Sequence, residues 1–269
     1  GGSRPLTMLT FALDYWRHGS LDAGAFKATN LFIHALTTFF LALFFRRLLL
    51  LAHWTPQRVA IGALLLALAW AIHPLQASSV LYVVQRMQTL STLFLVLSLW
   101  AYLGLRQAQM VGRRGWPHGA LMAVFWLLGL ASKEDAALLP AYCLLLELTV
   151  LRFAAAQPWR THSLRRLYLV LSLAGAALYL FWVLPHYWSW DAYPGRDFNS
   201  IERLLTQARV LVMYLGQIVF PLPGRMPFNY DALEISRGLL QPATTLPALL
   251  LVLALLAWAW AWRTRRPLF

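Results

Sequence analysis

The sequence predicts an all-α fold, a polytopic transmembrane helical bundle of about seven spans with amphipathic helices along its outer face. Three observations predict it. Of 269 residues, 60% are hydrophobic and only 12% are charged, about half the charge of an ordinary soluble domain. Eight apolar stretches recur along the chain, more than one soluble core of this length can bury, and several carry too few charges to be solvated on any face. The arginines gather in short connectors without acids, as cytoplasmic loops do. That pattern also accounts for the net charge of +13, so nucleic acid is excluded as a partner. The single cysteine, Cys143, lies in an apolar run, which leaves neither an intrachain disulfide nor a thiolate metal cluster.

The elements follow in order within one transmembrane domain, 1–269. The chain opens on Gly1-Gly2-Ser3-Arg4-Pro5, without initiator Met or signal peptide, and is expected to be a fragment. Residues 5–17 set Leu6, Leu9, Leu13 and Trp16 at helical spacing, with Thr7, Thr10, Asp14 and Arg17 elsewhere. This is a short amphipathic helix suited to lying along an interface. Gly19 ends it, and a polar link leads to Asn30. Spans are expected over 31–51, 59–72 and 89–105, then two short apolar runs, 119–131 and 136–151, broken by Ser132-Lys133-Glu134-Asp135. A further span covers 167–184. Residues 185–242 form an outer-face region of aromatic and acidic loops around a moderately apolar helix, 201–220, and the last span is 245–262. Tyr187, Trp188, Trp190 and Tyr193 suit an interfacial aromatic belt.

Loop parity orients the chain. One side collects Arg46, Arg47, Arg58, Arg106, Arg113, Arg114, Arg152, Arg160, Arg165, Arg166, Arg263, Arg265 and Arg266 with no acid. The other side holds nine of the ten acids, all but Glu147. Basic residues in short loops mark the cytoplasmic face, so residues 73–88 and 133–135 are expected outside. Helix 201–220 is expected to lie on or dip into the outer face, because a full crossing would put the terminal arginines on the wrong side. Glu147, about one turn from Arg152, reads as its helix-end ion-pair partner. The excess of Arg over Lys, 21 to 2, suggests a GC-rich bacterium, in whose inner membrane the outer side of this chain would be periplasmic.

Two polar interruptions are candidates for chemistry. Residues 119–131 and 136–151 reach roughly 20–24 Å as helices, short of a hydrocarbon core of about 30 Å. The turn between them should therefore sit recessed. Lys133, Glu134 and Asp135 cannot face lipid together, since each charge costs at least about 2.5 kcal/mol there; they pair, or line a wet cavity where irregular backbone is tolerated. An ordinary loop that snorkels to the interface is the plain alternative. The second interruption, 72–90, carries His73, Pro74, Gln76, Gln85, Arg86 and Gln88. Pro74 stops a helix, and a guanidinium such as Arg86 can hold a phosphate through a two-pronged fork, though an interfacial anchor would look the same. Arg4, Arg203 and Arg209 are further outer cations suited to an anionic lipid head group. No glycine-rich phosphate loop, zinc-protease His pair or nucleophile elbow occurs.

Three landmarks together carry a resemblance: RPLTMLTFALDY at 4–15, HPLQASSVLYVVQRMQTL at 73–90 and LASKEDAALLP at 130–140. They resemble the membrane region of the GT-C glycosyltransferase superfamily, of the kind joined to tetratricopeptide repeats and related to protein O-mannosyltransferases. The resemblance covers most of 4–152. It implies transfer of a sugar from a polyprenyl-phosphate donor in the membrane lipid, at the periplasmic or lumenal face, to a protein or glycan acceptor. It also implies a catalytic acidic pair upstream of Gly1, with a divalent cation, Mg or Mn, possible there, and repeats beyond Phe269. Carried onto this chain, Arg4 sits at the chamber rim, while His73, Gln76, Arg86, Lys133, Glu134 and Asp135 line it as substrate-binding residues; Asp14 is not nominated as the base. A glycolipid transporter or flippase, and a non-catalytic membrane scaffold, are the alternatives.

Overall fold

The computed structural model describes residues 4–187, 197–222 and 233–263. Among them every extended element is helical, apart from one isolated bridge between Gly238 and Gln241. The chain divides into two compact units, one running to Thr161 and the other beginning at His162.

In the first unit, α1 (Pro5–His18) starts on a proline in its first turn and stops at Gly19, whose φ of +67° supplies the left-handed C-cap that L-residues resist. Its faces run opposite to a soluble helix. Thr7 and Asp14 are buried, whereas Leu9, Leu13 and Trp16 are exposed. A helix whose polar face meets protein and whose apolar face points away is arranged for lipid.

Helix α2 (Ala23–Leu51) begins eight residues before the expected 31, because Asp22 is an N-cap accepting from the Gly24 amide at 2.8 Å. From Ala23 on, the polar link expected before Asn30 is therefore helix. Its 29 residues reach roughly 44 Å at about 1.5 Å each, longer than a hydrocarbon core of about 30 Å, and it packs beside α1. Helix α3 (Pro56–Ala71) returns along α2, where His34 stacks on Trp70 and its Nε2 lies 3.0 Å from the Ala71 carbonyl. Helix α4 (Leu75–Leu81) breaks away at 66° after Pro74. A single 3₁₀ turn, Val83–Gln85, then feeds α5 (Arg86–Met110).

Helix α5 is the centre of the unit. Ser91, Ser98, Ala101, Leu103 and Arg106 have no exposed surface, and α5 packs on both α2 and α6. Helix α6 (Trp116–Ser132) starts three residues before the expected run at 119, because Gly115, at φ +69°, turns the chain into Pro117 near the helix start. Its 17 residues reach roughly 25 Å, longer than the expected run of 119–131. The chain then doubles back through a 3₁₀ turn (Glu134–Leu138), α7 (Leu139–Leu146) and a π turn (Glu147–Leu151). The return is tight: Trp126 Nε1 donates to the Ala136 carbonyl at 2.8 Å, and a Cβ on Gly129 would stand 3.0 Å from that of Ala136.

The far end of α5 holds a second correction. Arg106 is no loop residue. It is fully buried and pairs through Nε with Glu147 Oε1 at 2.5 Å, while Tyr102 donates to the same oxygen and the Phe153 amide to Oε2 at 2.9 Å. Glu147 therefore spends both oxygens on α5 and the π-turn exit rather than on the expected Arg152 pairing. Burial of the pair is tolerated because nearly every remaining donor is used: Arg106 also reaches Gln109 and the Ala154 carbonyl.

Helix α8 (Pro158–Leu178) starts nine residues before the expected 167, so Arg160, Arg165 and Arg166 ride on its first turns instead of a loop. Lysine- and arginine-bearing helix ends of this kind extend their charges toward the interface. In the second unit α8 continues through a π turn (Tyr179–Val183) into the short α9 (Leu184–Tyr187). Helix α10 (Ser200–Val219) opens with a reciprocal capping box, Asn199 Oδ1 to the Glu202 amide and Glu202 Oε2 to the Asn199 amide, both 2.9 Å. It packs on α11 (Thr245–Trp262). The segment between them is tied down by Thr206 Oγ1 accepting from the Ser236 amide and by Arg209 donating to the Glu234 carbonyl. Trp188, Trp190, Tyr193 and Asp231, the Tyr187 side chain, and Arg265 and Arg266 lie outside the described residues.

Four helical stretches are long and apolar enough to cross a membrane: Ala23–Leu51, Val83–Met110, Pro158–Val183 and Thr245–Trp262. The bent pair α3 and α4 makes five if taken as one crossing. Helix α6 is apolar but shorter, and α10 is not among the candidates. The chain is thus a multi-pass membrane protein in composition and helix length.

Candidate functional site

At the end of the bundle where α5 begins, three stretches remote in sequence meet: the start of α1, the first turn of α5 and the turn after α6. Lys133 Nζ donates to Gln88 Oε1 at 2.5 Å and lies 3.0 Å from Asp135 Oδ2. Arg4 forms a two-pronged pair with Glu134, Nε to Oε2 at 3.2 Å and Nη2 to Oε1 at 2.7 Å, and also touches Met87 Sδ. Beneath them Thr7, 3% exposed, donates to the Ser132 carbonyl at 3.0 Å, filling one of the acceptors that the end of α6 leaves open. Lys133 is extended, with φ −159° and ψ 149°, which breaks the helix and turns its side chain back toward α5. The result is a ledge of two cations and two carboxylates, partly open to solvent.

The carboxylates are not equivalent. The Arg4 guanidinium, hydrogen-bonded to Glu134, holds its carboxyl below the usual carboxylate range, assisted by a backbone hydrogen bond and by Lys133. Glu134 is therefore a weakened proton acceptor and a durable counter-ion.

Arg86 occupies a different place from the one expected of a chamber-lining phosphate ligand. Its side chain has no exposed surface. Nε donates to Asn30 Oδ1 at 2.9 Å, Nη1 to the Thr10 carbonyl at 3.1 Å and Nη2 to the Phe26 carbonyl at 2.8 Å. Asp14 Oδ2 stands 2.7 Å from Nη2, and Phe11 and Phe26 lie over the guanidinium at 4.4 and 5.3 Å. Asp14 is held from its other oxygen by Thr29 at 3.0 Å. Two residues along a helix turn a side chain by about 200°, so Gln88 faces Lys133 while Arg86 faces inward under α1. Arg86 is thus a clamp joining α1, α2 and α5, and Asn30 extends it by donating to the Tyr82 carbonyl at 3.0 Å. Asn30, Thr10 and Phe26 accept its hydrogen bonds and Asp14 pairs its charge, so a phosphate there would have to displace a buried carboxylate.

His73 and Gln76 sit together at the bend between α3 and α4. His73 Nδ1 accepts from the Leu75 amide at 3.3 Å, and its carbonyl accepts from the Gln76 amide at 2.9 Å. Both are half-buried. Of the cations expected to meet lipid head groups, Arg209 instead ties down the Glu234–Ser236 segment. The residues of the clamp that the sequence did not single out are Asp14 and Asn30, whose signal was their polarity inside otherwise apolar faces.

Among the described residues, no three His, Cys, Asp or Glu side chains converge. Glu134 and Asp135 already face Arg4 and Lys133. These residues do not fit a divalent cation.

Part of this chain is similar to two curated proteins. It is 31% identical over 130 residues to the protein O-mannosyl-transferase TMTC4 of Mus musculus and 33% identical over 138 residues to that of Homo sapiens, in each case covering 46% of this chain. The chain spans only 17% of the length of those relatives. No family model matches the sequence, and no solved structure matches it.

Proposed function

We propose that this chain is part of a membrane glycosyltransferase of the GT-C kind, which passes a sugar from a polyprenyl-phosphate donor to a hydroxyl of a protein at the outer face. The single observation that carries this reading is the meeting of Arg4, Gln88 and Lys133 on one ledge, in a chain partly similar to protein O-mannosyl-transferases. Helices α3 and α6 and the return run of residues 134–151 through α7 are read as additional crossings beside the four long ones, giving about seven.

The chemistry suits the ledge. The acceptor oxygen attacks the anomeric carbon, its C–O bond to the donor phosphate breaks, and the phosphate leaves with an added negative charge while the acceptor proton passes to a base. Lys133 and Arg4 are placed to neutralise that departing charge, a role worth roughly 10²–10³ in rate per donor in other enzymes. Glu134 and Asp135 keep the two cations in position before the donor arrives, and exchange them for phosphate oxygens on binding. Arg86 is a positioning residue, holding α1 and hence Arg4. His73 and Gln76 shape the rim at the α3–α4 bend.

The test is sugar transfer by the full-length parent, with a lipid-linked sugar donor and a hydroxyl-bearing peptide. Lys133→Met is expected to lower turnover by about 10²-fold or more with unchanged membrane insertion. Turnover within about twofold of wild type would remove the reading. Wild-type movement of the glycolipid across the bilayer without transfer would favour a flippase instead.

A further inference from the structure

Between α1 and α2 runs a groove of about 620 Å³, opening away from the protein. Its walls are Leu13, Ala25, Ala28, Phe32, Ile33 and Leu90. At one end stand Arg17 and His18 in the last turn of α1, both exposed; among the described residues neither side chain has a hydrogen bond or an ion pair. Asp14 and Thr29 also border the groove, but Asp14's charge is already met by Arg86 and its second oxygen by Thr29. The groove therefore presents a hydrocarbon wall and an uncompensated positive end. Basic residues in a last turn offset the helix dipole, which explains their sign but not the channel they border.

We propose that this groove binds one anionic phospholipid, an acyl chain along the α1–α2 wall and the phosphate at Arg17 and His18. The volume lies within the range of about 300–1,000 Å³ usual for small-molecule sites. Ala25 and Ala28 make the space, and the exposed Phe32 and Leu13 open it toward lipid. It is separate from the ledge: Arg4 and Arg17 are 13 residues apart, roughly 20 Å along the helix. The inference does not depend on the transferase reading. Its consequence is that the bound lipid braces the same helix pair that Asp14, Thr29 and Arg86 clamp.

Native mass spectrometry of the purified full-length parent, offered equal phosphatidylglycerol and phosphatidylethanolamine, tests it. The wild type is expected to retain one phosphatidylglycerol in preference. Neutralising the head-group end with Arg17→Gln and His18→Gln, both at exposed positions that leave the fold intact, is expected to cut that preference about fivefold or more. Filling the wall with Ala28→Trp should lower retention of either lipid about tenfold. Equal retention by wild type and both variants would overturn the proposal. So would displacement of phosphatidylglycerol by equimolar polyprenyl phosphate, which would reassign the groove to the sugar carrier.

Discussion

Removing Arg86 is the sharpest perturbation of the fold near the ledge. Arg86→Met leaves Asp14, only 4% exposed, as a buried carboxylate without its cation. It also empties acceptors on Asn30, Thr10 and Phe26 and removes the guanidinium beneath two aromatic rings. Breaking a buried ion pair on one side costs about 3–5 kcal/mol, a shift of hundreds- to thousands-fold in the folding equilibrium. Asp14→Leu, which strands the guanidinium, should cost a similar amount. The double variant Arg86→Met/Asp14→Leu leaves no unpaired charge and should recover most of the loss, with a coupling of about 2 kcal/mol or more. Unfolding of purified protein by SDS titration in mixed micelles measures all four corners of the cycle. Independent costs that add within about 0.5 kcal/mol, or a single-variant cost under about 1 kcal/mol, would refute the clamp.

Gly104→Ala should destabilise the opposite end by about 1–3 kcal/mol, because the new methyl would meet His118 Cδ2 and Arg47 Nη1 at 2.6 Å or closer; adding His118→Ala should recover part of it in the same assay. Glu134 should stay ionised below the ordinary carboxylate range. Since its folded pKa is depressed, the Arg4 link is present at neutral pH and is lost only as pH falls through that lowered value. Carbon-13 carboxyl titration of glutamate-labelled protein should show that midpoint moving up in Arg4→Gln, and no movement would contradict the pairing. For sidedness, Glu134→Cys should react with an impermeant maleimide from outside sealed cells, and Arg113→Cys only after permeabilisation. The reverse pattern would invert the orientation.

Helices that announce their ends were legible. Pro5 and Gly19 delimited α1. Hydropathy misplaced the starts of α2 and α8 for one reason. Their first turns carry Lys27, Thr29 and Asn30, or Arg160, Arg165 and Arg166. Such residues look like loop by composition but serve as clamp partners or interfacial charges on a helix. The ledge was half legible: Lys133, Glu134 and Asp135 are conspicuous between apolar runs, and Arg4 lies in a quoted landmark. Arg86 misled because its partner Asp14 is 72 residues away and on a helix whose polar face turns inward. Pattern alone assigns that face to water. Glu147 misled similarly, its nearest arginine in sequence being Arg152 and its partner in space Arg106.

The central claim is that the donor's phosphate end is held where α1, α5 and the turn after α6 meet. A photoreactive polyprenyl-phosphate sugar analogue, crosslinked to the full-length parent and mapped by peptide mass spectrometry, tests that claim most directly. The account predicts labelling of the segments around Met87–Gln88 and Lys133–Asp135 that is lost in Lys133→Met while the folded protein persists. Labelling confined to other segments, or unchanged in that variant, would contradict it.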